Sequence, residues 1–326
     1  MNLLSAHEIE TARAIVAPHV TPTPTHWWPL LTERLGADAF VKHENHTPVG
    51  AFKVRGGVVY MHELVARNPD CPGVIAATRG NHGQSVARAA AAFNVPCTVV
   101  VPFGNSKEKN AAMRALGATL VEYGDDFQQA REHATQLAQQ RDLHFVPSFH
   151  RDLVRGVATS WMEFFESFAS SEREFPDVVF VPIGQGSGIC ACVCAKAVIG
   201  ASTRIVGVVS AHAMAYHDSF LAGHAVERAV TTELADGLAC RVPDADSLAL
   251  ILQHVHSIVA VTDGEVATAM RQLFTDTHNV AEGAGAASWA AAMQQRALWA
   301  SQRVGIALCG SNVDADVFAR VLVSKM

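Results

Sequence analysis

The stretch GVIAATRGNHGQSVARAAAAFNVPCTVVV, residues 73 to 101, decides the fold. GVIAAT (73–78) is a short apolar run with β-branched residues, left through Arg79-Gly80, and predicts a buried strand. NHGQSVARAAAAF (81–93) is longer and alanine-rich and predicts a helix, while VPCTVVV (95–101) returns to β-branched residues and a second strand. Strand, helix and strand in close succession form the unit of a parallel sheet covered by helices.

The alternation continues outward. Helix 106–117, strand 118–124 and helix 125–140 complete a first series. A second runs through helix 153–168, strand 177–183, helix 189–199, strand 204–210, helix 263–274 and strand 304–309. The expectation is two open α/β units with a boundary near VPSFHRD (146–152). Ligands on such sheets bind beyond the carboxyl ends of the strands.

Composition narrows the function. Apolar residues make up 49% of the 326 and charged ones 17%, which supplies a large core and excludes disorder. The formal net charge of −6 excludes a chain built to bind nucleic acid. No apolar run approaches the roughly 20 residues of a membrane-spanning helix. MNLLSAHEIETARAIV (1–16) lacks the basic-then-apolar order of a signal peptide and predicts an amphipathic helix of a cytoplasmic enzyme. Seven cysteines without framework spacing predict reduced thiols, and CACVC (190–194) suits a tightly packed helix better than a metal site.

Four loops follow strands. In TRGNHGQ (78–84), Gly80 and Gly83 allow close approach of a ligand, and Asn81 and His82 offer hydrogen bonds; a helix cap by Thr78 or Asn81 fits the same residues. In GQGSGI (184–189), three alternating glycines at a helix N-terminus predict a phosphate site, though the spacing is neither a nucleotide P-loop nor a dinucleotide fingerprint. VAEGAGAAS (280–288) sets Glu282 before a small-residue helix, and LCGSNVD (308–314) puts Cys309 at a strand end before a turn with an Asn cap. Upstream, ENHTPVGAFKVRGG (44–57) places Lys53 among small, apolar and turn-forming residues, where a surface lysine has no need to be.

NHTPVGAFKVRG (45–56), GNHGQ (80–84), the glycine-rich turn and CGSN (309–312) occur in an order that resembles the fold-type II pyridoxal-phosphate enzymes, in their serine/threonine dehydratase and serine racemase branch. The likeness covers nearly the whole chain. It implies two open-sheet, three-layer α/β domains of the tryptophan synthase β-subunit-like type. Residues 1–45 and 147–326 would form the large cofactor-binding domain and 46–146 the small one.

The cofactor implied is pyridoxal 5′-phosphate. By that resemblance Lys53 forms a Schiff base with its aldehyde and removes the substrate Cα proton, helped by a weakly hydrated pocket that disfavours the ammonium. Phe52 packs against the cofactor, and the glycines beside Lys53 leave room for its ring. Asn81 bonds the phenolic oxygen; Gly184, Gln185, Gly186, Ser187 and Gly188 hold the phosphate; Glu282 joins the cofactor set; Cys309 faces the pyridine nitrogen. Thr78, Arg79, Gly80 and His82 bind the substrate carboxylate.

The sequence departs from the family pattern at several positions. Gln185 and Ser187 intrude in a turn that is usually almost all glycine, and their side chains would add donors to the phosphate. Arg79 replaces the Ala or Ser of relatives. It stays protonated and makes a poor proton shuttle, which points away from racemisation and toward a substrate with a second anionic group, as in 3-hydroxyaspartate, unless Arg79 turns outward to an acid. Val209 and Ser210 stand where a cation-binding Glu is expected, so no required metal is predicted; His212 and His217 alone do not supply one. The regulatory domain into which biosynthetic threonine dehydratases continue is not expected after Cys309.

The expectation is therefore a lyase that turns a 3-hydroxy amino acid of the threonine or serine type into a 2-oxo acid and ammonia. Hydroxyaspartate, phenylserine and a hydroxyectoine-derived amino acid are open as substrates. A racemase or β-replacement enzyme, or a protein that binds the cofactor without turnover, are the alternatives. A homodimer is implied by the resemblance. Trp27, Trp28, Phe149 and Trp161 either shape the entrance or fill the core.

Overall fold

In the computed structural model, which describes residues 1–171 and 173–323, ten strands sort into two sheets. They are β1 (Thr25–Trp27), β2 (Asp38–His43), β3 (Val74–Ala77), β4 (Cys97–Val101), β5 (Thr119–Glu122), β6 (His144–Phe145), β7 (Val178–Pro182), β8 (Arg204–Ser210), β9 (Ser257–Val261) and β10 (Arg303–Leu308). One sheet has the order β5-β4-β3-β6 and is parallel throughout. The other has the order β1-β2-β10-β7-β8-β9 and is parallel except for β1 against β2. β3 and β4 are buried along their whole length, as a sheet covered by helices on both faces requires.

β10 lies between β2 and β7, with Asp38 to His43 beside Arg303 to Leu308 in register. The chain leaving β2, which leads to Lys53, therefore starts beside the chain leaving β10, which begins with Cys309.

The Lys53–Arg67 helix escaped the sequence reading because its glycines look like loop. They serve helix packing. A Cβ on Gly56 would meet the Leu153 carbonyl oxygen at 2.7 Å, and one on Gly57 would meet Ser85 Oγ at 2.3 Å. These glycines thus face the Arg151–Ala169 and Asn81–Ala92 helices rather than making room for a cofactor ring, which corrects the expectation above. Gly156 answers from the opposite helix, where a Cβ would sit 2.2 Å from the Arg55 carbonyl oxygen. Gly156→Ala is expected to cost about 1–3 kcal/mol as overpacking against rigid backbone. Chemical denaturation measures it; an unchanged midpoint would mean that the two helices slide apart freely.

Four charges, three of them buried and the fourth, Glu163, half-buried, tie the Lys53 helix down. Arg55 is 0% exposed, Lys42 1% and Glu44 4%. Arg55 Nε donates to Glu44 Oε2 at 2.8 Å and its Nη1 to Glu163 Oε1 at 2.6 Å, while Lys42 Nζ donates to Glu163 Oε2 and to the Thr23 carbonyl, each at 2.7 Å. Two cations and two carboxylates balance inside the protein, two residues from Lys53. β2 was missed for the same reason, since DAFVKH carries a lysine and a histidine into the sheet. β9 and the Ala245–His254 helix were also unread. The N-terminal helix forms as expected over Ala6–Val16, started by a capping box of Ser5 and Glu8.

Candidate active site

The loops after β3, β7 and β10 and the start of the Lys53 helix converge on one cleft. Phe52, Lys53, Thr78 to His82, Gly184 to Gly188, Glu282 and Cys309 all line it. Every expected site residue is in that group.

Lys53 opens its helix, and the preceding segment is stitched to the end of β10. The Phe52 N–H donates to the Cys309 carbonyl at 3.1 Å, and Ala51 bridges Gly310. Ser85 Oγ donates to the Lys53 carbonyl at 2.6 Å. The Lys53 ammonium lies 4.2 Å from the centroid of the Phe52 ring. Burial lowers its pKa below the ordinary value, with the Glu282 carboxylate pulling the other way. Burial likewise pushes the Cys309 thiol up to about 12, so it stays neutral.

At the turn after β3, Thr78 Oγ1 accepts from the N–H of Gly80 at 2.9 Å and of Gly83 at 3.3 Å. Thr78 is thus the local organiser, and the Asn81–Ala92 helix begins at Gly80 without a side-chain cap on that residue. Asn81 donates through Nδ2 to Glu282 and accepts at Oδ1 from Asn312 Nδ2 at 2.9 Å. This corrects the Asn312 expectation: instead of capping a turn it donates to Val49 O and Asn81. The orientation of the Asn81 amide is fixed from both ends, and its second Nδ2–H is left for the cleft. His82 is buried against the Val146 carbonyl, and desolvation, with Lys53 nearby, pushes its pKa down to about 4.

The glycine turn is a cradle. A Cβ on Gly184 would meet the Gly237 carbonyl oxygen at 2.5 Å, and Gly186 has φ +100 with Ser247 2.6 Å from where its Cβ would be. The Ser187–Ile199 helix starts there without a side-chain cap, so its first N–H groups open on the cleft. Gln185 differs from expectation, because its amide donates to Cys240 Sγ at 3.5 Å.

Sequence reasoning missed Lys109 as a site residue. Its Nζ donates to Asp236 Oδ2 at 2.7 Å and stands 3.4 Å from Glu282 Oε2. Its stem lies across Gly80, where a Cβ would meet Lys109 Cδ at 2.3 Å. One signal was present: Ser106 caps this helix, and a capping box puts Glu or Gln where Lys109 stands.

Arg79 is half-buried in the cleft wall and forms no ion pair among the described residues, so it has not turned outward to an acid. The tryptophans lie elsewhere. Trp161 is in the core, its Nε1 donating to the Gly188 carbonyl at 3.0 Å; Trp28 donates to His43; Trp27 is 45% exposed on β1. Phe149 packs on the edge of the core. Cys190, Cys192 and Cys194 are buried core residues of the Ser187–Ile199 helix.

The model of the pyridoxal-phosphate dependent enzyme family matches residues 16–310. L-threonine ammonia-lyase of Geobacter sulfurreducens is 35% identical over 294 residues, covering 89% of this chain and 71% of that protein. L-threo-3-hydroxyaspartate ammonia-lyase of Saccharomyces cerevisiae is 30% identical over 311 residues, covering 95% and 94%. The processed form of threonine deaminase isoform 2 from Solanum lycopersicum superposes with a TM-score of 0.86 at 26% identity, covering 98% of this chain and 96% of that one.

Proposed function

This chain belongs to the pyridoxal-phosphate dependent enzymes, and from that premise we propose that it is an ammonia-lyase acting on a 3-hydroxy amino acid whose side chain carries a second carboxylate. The observation that carries the lyase reading is the convergence on one cleft, beside the end of β10, of Lys53 at the head of its helix, Cys309 and the glycine turn 184–188. Relatives named for L-threonine and for L-threo-3-hydroxyaspartate support the reaction class.

The donor set fits the cofactor. The glycine cradle and the uncapped helix start suit a phosphate, Asn81 has one N–H to spare, and Lys53 stands at the head of its helix beside Cys309. Bound there, pyridoxal phosphate supplies the electron sink that lets a Cα–H bond break and a β-hydroxyl leave.

The protein does the rest by placement. The backbone of residues 184–188 anchors the phosphate through N–H groups, and Phe52 closes one side, its ring 3.6 Å from where a Gly188 Cβ would lie. Cys309, its thiol neutral, would offer the cofactor an uncharged partner. Lys53 Nζ, deprotonated more readily than an exposed lysine, accepts the Cα proton. The N–H groups at the head of the Asn81–Ala92 helix bind the α-carboxylate, and Arg79 takes the second one as a forked pair. Arg79 stays protonated and cannot return a proton from the second face, so the reaction runs to 2-oxo acid and ammonia and not to an inverted amino acid.

Kinetics of Arg79→Ala test the substrate class. Loss of one charge-assisted pair is expected to lower kcat/KM for 3-hydroxyaspartate by about 10–100-fold, with L-threonine changed far less. An unmoved ratio between the two substrates would sink the proposal for Arg79 while leaving the lyase reading intact.

A homodimer in a reducing compartment, divided into 1–45 with 147–326 and 46–146, completes this reading. Seven unpaired cysteines support the compartment, and the fall of β3 to β6 within residues 74–145 supports the division.

A further inference from the structure

Glu282 is 2% exposed, and its Oε2 has no hydrogen bond among the described residues although Lys109 stands 3.4 Å away. Its Oε1 takes the Asn81 amide. Lys109, 6% exposed, comes from the unit of the smaller sheet and reaches across the cleft to Asp236 and Glu282, which follow β8 and β9 of the larger one. We infer that Lys109 is a positioning residue: its ammonium keeps Glu282 a carboxylate, and Glu282 in turn holds the Asn81 amide with one Nδ2–H facing the cofactor. The inference rests on the lyase reading above.

The electrostatics agree with the geometry. Burial, reinforced by Asp236, leaves the Glu282 pKa above the ordinary carboxylate value, and Lys109, with the hydrogen bond from Asn81 on the helix after β3, limits that rise. Burial also works against the Lys109 charge, but Glu282 and Asp236 outweigh it and leave the pKa above its ordinary value. Lys53, at the head of its own helix, also feels the Glu282 charge, as does Cys309 beyond β10. A protonated Glu282 would offer Asn81 a weaker acceptor and would free the amide to turn. Without Lys109 the carboxyl gains a proton at higher pH, and the Asn81 contact weakens there.

The experiment follows the visible absorption of the bound pyridoxal phosphate against pH in wild-type, K109M, K109R and E282Q holoenzymes, with cofactor dissociation constants for each. K109M should move the acid-side midpoint of the absorption change up by about one pH unit, as loss of an opposite charge at this range does. K109R should restore it, and E282Q should abolish the acid-side change. A wild-type midpoint in K109M, or an acid-side change that survives in E282Q, overturns the inference. If K109M does not fold, E282Q and K109R decide by the same criteria. A wild-type protein that takes up no pyridoxal phosphate is a failure of the lyase reading, visible before any variant is compared.

Discussion

Replacing Lys53 with alanine is expected to lower turnover by at least about 10³-fold, the scale of a lost general base acting at the reacting carbon. The fold should survive, because the Lys53 side chain makes no hydrogen bond or ion pair among the described residues and contacts the Phe52 ring through its ammonium. Absorption at long wavelength should be lost or moved in the same variant. His82 is the rival proton acceptor in the cleft. With its pKa pushed down to about 4 and its Nε2 donating to the Val146 carbonyl, it is a weak base. Steady-state rates of ammonia release decide between the two. A Lys53→Ala protein that keeps a tenth of wild-type turnover would transfer the role elsewhere.

Arg55→Met is expected to cost about 3–5 kcal/mol of stability, the scale for breaking a buried ion pair from one side. It leaves Glu44 and Glu163 facing Lys42 alone, with no guanidinium fork to fill the gap between them. Arg55→Lys keeps the charge and loses the fork, so an intermediate loss is expected. Urea denaturation with and without cofactor measures both; a loss below about 1 kcal/mol would mean that water enters and replaces the guanidinium. The acid dependence has a definite sign. Burial raises the Glu44 pKa, but Arg55 and Lys42 outweigh it and hold it below the usual carboxylate value. The stability that Glu44 contributes is therefore present above the ordinary carboxylate pKa and is lost as pH falls through the depressed one. Arg55→Met removes that protection and moves acid unfolding to higher pH.

The sequence was legible where one physical rule governed a segment. β3, the helix after it and β4 follow from β-branched and alanine-rich runs, and both sheets appear as alternation. Lys53 and the glycine turn stood out because a lone cation among small residues, and glycines before a helix, have few structural uses. Where two rules collided, reading failed. β2 carries Lys42 and His43 into a sheet interior, and polarity alone makes both look exposed; Lys42 is made buriable by Glu163, a partner distant in sequence, and His43 by Trp28 and Asn45. Gly56 and Gly57 promise a loop, yet their bare backbone is what lets two helices touch the Lys53 helix. Lys109 sits in a helix first turn, where the dipole disfavours cations, and that discord is explained only by Asp236 and Glu282, more than a hundred residues onward.

The place of β10 bears on how the molecule is made. All strands of the β5-β4-β3-β6 sheet have left the ribosome once residue 145 is free, so that sheet can close while synthesis continues. The larger sheet has no such option. β2 waits through most of translation with an open edge, and β7 with another, until Arg303–Leu308 emerges to pair with both. For that interval the nascent chain exposes two unpaired strand edges, a target for chaperones and a liability when synthesis stalls.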